Sequence, residues 1–247
     1  MLTEEAHCVR SADAVAEEDM DMLTSSVATL QNNAAHGDDN YLVRPLGEYA
    51  YLDAVMDGVT GRRGAEASRA VLEALAAAPL TGPDEVVAVL EEVNWALYGQ
   101  GGGSWWLTTA AVALFRDGTL SVVSVGDSPV FLIRSDTYQP LYSHVSGFGL
   151  GGRTRALGAG PALVNPYRAT VTVEPGDRII LVTDGVSTNV TSSELAEMVR
   201  SARTPDEATE RINAFLGAQQ AAQQRSAPAG GGFRRDDWTA IVRFFSR

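Results

Sequence analysis

The segment Gly176-Asp177-Arg178-Ile179-Ile180-Leu181-Val182-Thr183-Asp184-Gly185 constrains this chain more than any other. A turn feeds a short run that is apolar at every position, and the run ends in a carboxylate followed by glycine. Such a run bounded by turn signals reads as a buried strand. A carboxylate at its end must be hydrogen-bonded, paired or metal-bound, because an uncompensated buried charge is too costly. The chain repeats the pattern at Tyr51-Leu52-Asp53-Ala54-Val55-Met56-Asp57-Gly58 and again at Leu120-Ser121-Val122-Val123-Ser124-Val125-Gly126-Asp127. Three strands that each deliver an acid to one end imply one shared acidic site. That site calls for hard divalent cations with oxygen ligands.

The charge balance narrows the partners. Over 247 residues the net charge is -12, which argues against a nucleic-acid backbone or an anionic membrane surface as the partner. The single cysteine, Cys8, excludes an intrachain disulfide and fits a reducing, cytoplasmic setting. The opening Met1-Leu2-Thr3-Glu4-Glu5 lacks the basic-then-apolar pattern of a signal peptide, and no apolar run approaches a membrane span. A soluble, cytoplasmic protein is expected.

Helical and strand periodicities alternate in blocks. Residues 1–24 are acidic and Ala-rich and read as an arm or helix; residues 25–247 read as one domain. Within it, Ser25–Leu30, Tyr41–Val43 and Tyr49–Met56 are predicted strands. Gly64–Leu75 and the segment opening at Pro83-Asp84-Glu85 are amphipathic helices, the second broken at Gly99–Gly103. Strands follow at 107–115, 120–125, 130–134, 170–173 and 178–183, then two helices, then a closing strand at 238–244. The Gly-rich 143–166 stretch is expected to be a surface loop beside the site, and 217–232 a flexible insert. This order is not the strand-helix alternation of a parallel sheet. It predicts an α+β fold, two antiparallel sheets in a sandwich flanked by helix pairs.

The acidic stations fall at Asp38-Asp39, Asp57-Gly58, Asp127, Asp184-Gly185 and Asp236-Asp237. With their neighbours they resemble the PPM/PP2C family of metal-dependent Ser/Thr protein phosphatases, bacterial type. Asp57-Gly58-Val59-Thr60-Gly61 with Gly64-Ala65-Glu66-Ala67-Ser68 is similar to the family's Asp-Gly-x-Gly-Gly segment and its Gly-x-x-Ala-Ser helix start. Thr108-Thr109-Ala110, Val125-Gly126-Asp127-Ser128, Thr154-Arg155-Ala156-Leu157-Gly158, Thr183-Asp184-Gly185 and Asp236-Asp237-Trp238-Thr239 resemble later family segments in order. The resemblance implies two Mn²⁺ or Mg²⁺ ions. Asp57 would bridge them and the Gly58 carbonyl would add an oxygen. Asp184 and Asp236 would bind one ion, Asp39 would act mainly through bound water, and Asp127 with Asp184 would form a weaker third site. It further implies hydrolysis of phosphoserine or phosphothreonine in a phosphoprotein substrate by a metal-activated water. Within the family, the sporulation and stress-response phosphatases that dephosphorylate anti-sigma factor antagonists are the expected branch.

Departures matter too. The arginine that usually precedes the first Asp is replaced at Ala34, and the usual final Asn is Asp237. Arg62, Arg63, Arg155 and Arg235 are candidate replacements, Arg62 and Arg63 first because they follow Asp57-Gly58. Val59 stands where eukaryotic members carry a proton-donating His. Asp38 reads as a loop carboxylate, His36 as an exposed loop residue, His144 as structural, and Trp105-Trp106 as helix-contact aromatics. Asp53 and Asp177 are not expected to be ligands. The alternative function is a pseudophosphatase, a binding module on the same scaffold with little turnover. Clustered, mutually repelling acids argue against it, since they are a cost to a site that binds no cation.

Overall fold

Runs such as Ile179-Ile180-Leu181-Val182 are apolar at every position because their strands are covered on both faces. The protein, seen in a computed structural model, is described over residues 23–142, 154–225 and 232–247. One sheet has the order β1-β10-β9-β6-β7, with β1 Thr24–Asn32, β6 Val130–Arg134, β7 Thr137–Pro140, β9 Arg178–Val182 and β10 Trp238–Ser246. The other has the order β2-β3-β4-β5-β8, with β2 Asn40–Gly47, β3 Ala50–Met56, β4 Ala110–Arg116, β5 Thr119–Val125 and β8 Tyr167–Thr172. Every pairing is antiparallel. Helices α1 (Gly64–Ala77) and α2 (Pro83–Gly101) cover the second sheet. Helices α4 (Ser192–Ser201) and α5 (Pro205–Arg225) cover the first, and a single turn, α3 (Asp184–Ser187), starts at the end of β9.

The side-chain period of two distributes each strand between layers. On β3, Leu52, Ala54 and Met56 pack under α1 and α2, whereas Val55 faces the opposite sheet. On β10, Ala240 and Val242 pack under the helices, and Ile241 and Phe245 turn inward. Two charged residues share that inward face. Arg243 of β10 meets Asp53 of β3 across the sandwich through two hydrogen bonds, Nε to Oδ2 at 2.6 Å and Nη2 to Oδ1 at 2.7 Å. Its Nη1 donates to Ser25 Oγ, and the guanidinium lies 4.4 Å from the Tyr51 ring centroid. Asp177 likewise pairs with Arg134. Both acids are consumed by structure, as expected of non-ligands.

Three expectations are adjusted. Helix α2 runs on through Gly99 to Gly101 and stops at Gly102, whose φ of 58° supplies the left-handed cap. The residues from 217 are not a flexible insert as far as 225: they continue α5, since a run rich in Ala, Gln and Arg carries good helix formers. Residues 226–231 lie outside the described residues, as do 1–22 with Cys8 and 143–153 with His144. Finally, 154–160 is a surface loop only in part, with Arg155 and Ala159 exposed and 156–158 buried. Leu157 is fully buried and bridges to Thr108, and the buried Asn94 of α2 accepts from the Gly158 N–H and donates to the Gly160 carbonyl.

Removing Asp53 leaves Arg243 buried without a counter-charge. Asp53→Ala is expected to cost roughly 3–5 kcal/mol in urea denaturation, and Asp53→Leu with Arg243→Met to recover most of that loss.

Candidate metal centre

The site forms where β3 and β9 run out; β2 adjoins β3 and β10 adjoins β9, while β5 stands one strand beyond β3 across β4, so antiparallel pairing brings distant residues to one edge of the sandwich. Asp57 follows β3. Its backbone is fixed by Thr108 and Thr109: the Asp57 carbonyl accepts from Thr109 N–H (2.8 Å) and Thr108 Oγ1 (2.9 Å), and its N–H donates to Thr109 Oγ1 (3.2 Å). Thr109 Oγ1 in turn shares a 2.7 Å hydrogen bond with Ser128, the neighbour of Asp127. Asp184 opens α3, and its N–H donates to Asp57 Oδ2 at 3.3 Å. Asp39 precedes β2 and is 3 % exposed; its Oδ2 accepts from Thr183 Oγ1 (2.7 Å) and Thr239 Oγ1 (2.8 Å). Thr183 precedes Asp184 and Thr239 lies on β10, so Asp39 joins three segments.

The glycines of the motifs permit close backbone contact. A Cβ on Gly185 would lie 1.8 Å from the Asp237 carbonyl oxygen, and one on Gly58 would lie 2.4 Å from the Gly64 carbonyl carbon. Alanine at either position would push apart the segments that carry Asp184, Asp236 and Asp57.

The acids affect one another's protonation. Burial pushes the Asp39 carboxyl up to about 7, aided by the charges of Asp237 and Asp184. Burial raises Asp57 well above the usual carboxylate range, with Asp184 and Asp39 adding to it. Burial also raises Asp184, with Asp236 and Asp127 contributing and Arg234 opposing. Asp39, Asp57, Asp127, Asp184 and Asp236 therefore share one electrostatic environment. Among the described residues no group of three or more His, Cys, Asp or Glu side chains stands at ligating spacing. An all-oxygen donor set of mutually repelling carboxylates, Asp39 buried, Asp57, Asp184 and Asp236 partly so and Asp127 exposed, fits Mn²⁺ or Mg²⁺ in chemistry.

Several residues stand apart from their sequence reading. Asp237 occupies the place of the family's Asn, and its carboxylate accepts four consecutive backbone N–H groups, Ala35 (2.9 Å), His36 (2.9 Å), Gly37 (2.6 Å) and Asp38 (2.9 Å). Such convergence makes an anion-binding concavity, filled here by the chain's own carboxylate. Asp38 anchors α1: its Oδ1 accepts from Ala65 N–H and its carbonyl from Ser68 Oγ. His36, read as a solvent residue, places Nε2 3.8 Å from Asp236 Oδ1. Arg62 and Arg63, placed first as replacements for the missing arginine, are engaged elsewhere. Arg62 donates to the Ser104 carbonyl and lies 5.4 Å from the Trp105 ring centroid; Arg63 pairs with Glu66 and lies 4.7 Å from that of Trp106. Arg234, which the sequence reading passed over, has Nη1 3.7 Å from Asp184 Oδ2. Nothing in its local sequence signals this, because the contact depends on how the loop before β10 meets α3.

Residues 52–243 match the family described as Stage II sporulation protein E (SpoIIE). Solved structures share the fold. PppA, described as a key regulatory component of T6SS in Pseudomonas aeruginosa, is 22 % identical over 90 % of this chain and 97 % of its own, with a TM-score of 0.71. The catalytic domain of the serine/threonine protein phosphatase PstP, solved with two manganese ions, is 20 % identical over 91 % of this chain and all of its own, with a TM-score of 0.68. The Mycobacterium tuberculosis phosphatase PstP/Ppp is 21 % identical over 91 % of this chain and 99 % of its own, with a TM-score of 0.67. No curated protein sequence matches the chain. The resemblance to PPM/PP2C phosphatases, read from motifs, therefore holds at the level of family and fold.

Two outcomes follow. Asn at 237 offers one acceptor oxygen where the carboxylate offers two, so Asp237→Asn is expected to cost roughly 1.5–3 kcal/mol in denaturant unfolding. For Asp39, Asp57 and Asp184 the folded-state affinity for a proton exceeds the unfolded one, so their contribution is complete below about pH 4 and is lost as pH rises. For Asp39 that loss extends through about pH 7. In EDTA the melting temperature is therefore expected to fall across that window, and Mn²⁺ to raise it most at its alkaline end. A melting temperature insensitive to both would contradict the shared acidic site.

Proposed function

The chain belongs to the Stage II sporulation protein E (SpoIIE) family, and from that premise we propose that residues 25–247 hydrolyse phosphoserine or phosphothreonine in a protein substrate. The observation that carries this reading is the convergence of Asp39, Asp57 and Asp184 on one electrostatic environment in which burial and neighbouring acids raise their affinity for a proton, with Asp127 and Asp236 contributing charge to it. Perturbed carboxylates gathered from separate strand ends mark functional sites, because folding alone gains nothing from mutual repulsion. Metal-dependent phosphatases that share the fold support it, among them PstP, solved with two manganese ions.

When bound, Mn²⁺ or Mg²⁺ supplies the Lewis acidity that acidifies a water and offsets charge on phosphoryl oxygens. The chain's own residues do the rest. Asp57, Asp184 and Asp236 would hold the ions, the Gly58 carbonyl would add an oxygen donor, and Asp127 with Asp184 would offer a weaker third position. Thr183 and Thr239 orient Asp39 by donating to its Oδ2, leaving Oδ1 as acceptor toward bound water. Thr108 and Thr109 fix the backbone of Asp57, and through Ser128 the segment of Asp127. No side-chain nucleophile is needed. No helix among the described residues is long and apolar enough to cross a membrane. Anti-sigma factor antagonists, the substrates that the resemblance to sporulation and stress-response phosphatases implies, are the proposed targets, in keeping with a match to a family described by sporulation.

Hydrolysis of p-nitrophenyl phosphate tests the reading. Turnover is expected to depend on Mn²⁺ and to fall at least about 100-fold in Asp184→Ala or Asp57→Ala, the scale on which even outer partners of a metal act. Folded, Mn²⁺-saturated protein inert toward this ester and toward phosphorylated antagonist proteins would favour the binding-module alternative.

A further inference from the structure

We propose that Arg234 is the phosphate-binding residue of this chain and that Asn189 is the residue that positions it; this rests on the phosphatase reading above. The place of the expected arginine is occupied by Ala34, which brings no charge. The guanidinium of Arg234 does reach the acidic cluster, with Nη1 3.7 Å from Asp184 Oδ2. That separation is an ion-pair contact rather than a hydrogen bond. With its side chain 61 % exposed, Arg234 keeps its planar fork of N–H donors available on the open side of the cluster. The fork matches two phosphate oxygens at once, which a lysine ammonium does not.

The backbone of Arg234 is held in a way that its exposed ion pair does not require. Asn189, in the turn between α3 and α4, accepts from the Arg234 N–H through Oδ1 (2.8 Å) and donates through Nδ2 to the Arg234 carbonyl (2.9 Å). Nδ2 also donates to the Gly185 carbonyl at 2.9 Å. One amide thus uses both donors and its acceptor to lock the Asp184-Gly185 turn to Arg234. A surface ion pair contributes little stability by itself; this double clamp fixes the backbone position from which the guanidinium reaches Asp184. A phosphoryl group held at the carboxylates would meet the guanidinium from the open side, and its negative charge would draw Arg234 off Asp184.

The test compares wild type, Arg234→Ala, Arg234→Lys and Asn189→Ala as full-length, Mn²⁺-loaded proteins. Three quantities are read: kcat and KM for p-nitrophenyl phosphate, the inhibition constant of inorganic phosphate, and calorimetric binding of inorganic phosphate and of Mn²⁺. Arg234→Ala is expected to raise KM and weaken phosphate about tenfold or more, with Mn²⁺ affinity unchanged or tighter. Arg234→Lys is expected to recover part of the loss, and Asn189→Ala to shift the same constants by a smaller factor with melting temperature little changed. Phosphate constants within twofold of wild type in Arg234→Ala would overturn the proposal, and tighter Mn²⁺ alone would show Arg234 to be a counter-charge for the acids. If wild type lacks turnover, the phosphatase reading fails by itself. Calorimetry with inorganic phosphate then still decides the role of Arg234, and wild type that binds no phosphate would overturn it.

Discussion

Mutual repulsion among carboxylates at one end of the sandwich is the constraint around which this protein is organised. Asp57 and Asp184 approach closely enough that the backbone N–H of one donates to the side chain of the other. Asp39, Asp127 and Asp236 add charge from neighbouring segments. A sheet with this end left uncompensated would gain by moving these chains apart. They are held by neutral donors instead: Thr108 and Thr109 on the backbone of Asp57, and Thr183 and Thr239 on Asp39. Hydroxyls relieve desolvation of a carboxylate without removing its charge, so each acid keeps its capacity for a cation.

Elsewhere the molecule treats buried charge differently. Arg243 and Asp53 meet between the sheets in a two-point pair and satisfy one another. Arg134 neutralises Asp177 at the turn before β9 in the same manner. The contrast explains why acids of equal prominence in the sequence separate into two roles. Asp53 and Asp177 are held in close arginine pairs, whereas Asp39, Asp57 and Asp184, whose charged neighbours are mainly other acids, are the ones we propose as metal ligands. Shape complementarity extends the distinction to the glycines: Gly58, Gly64 and Gly185 sit where backbones touch beneath the acids, and a side chain there would separate them.

Much of this was legible because both signals are local. A continuously apolar strand ending in Asp-Gly announces a buried strand and a special acid together, and Asp57 and Asp184 stand where that pattern placed them. The sandwich was legible because helices came in pairs between blocks of strands. What escaped reading was long-range. The N–H groups of 35–38 and the carboxylate of Asp237 are some two hundred residues apart in sequence, and neither carries a local mark of the other. The preference for Arg62 and Arg63 relied on nearness in sequence to Asp57. The aromatic faces of Trp105 and Trp106, brought in by the turn after α2, hold both guanidiniums instead. Helix α5 extended past 217 for the converse reason: low complexity in Ala and Gln is compatible with a helix when its earlier turns are anchored by Ile212 and Leu216.

The departures from the family pattern form one physical unit. Replacing Asn by Asp at 237 supplies the oxygens that four successive N–H groups of the 34–38 loop require, so the loop is held by backbone and needs no long side chain of its own. The loop can then carry Ala34 where an arginine is usual. The charge lost there can be supplied from the segment that ends in Asp237, because Arg234 precedes it by only three residues and Asn189 holds its backbone. A cation supplied from the β10 side approaches Asp184 across α3 rather than from the loop before β2. The phosphate would then be gripped from the segment that leads into β10, whose Asp237 already holds the 35–38 N–H groups.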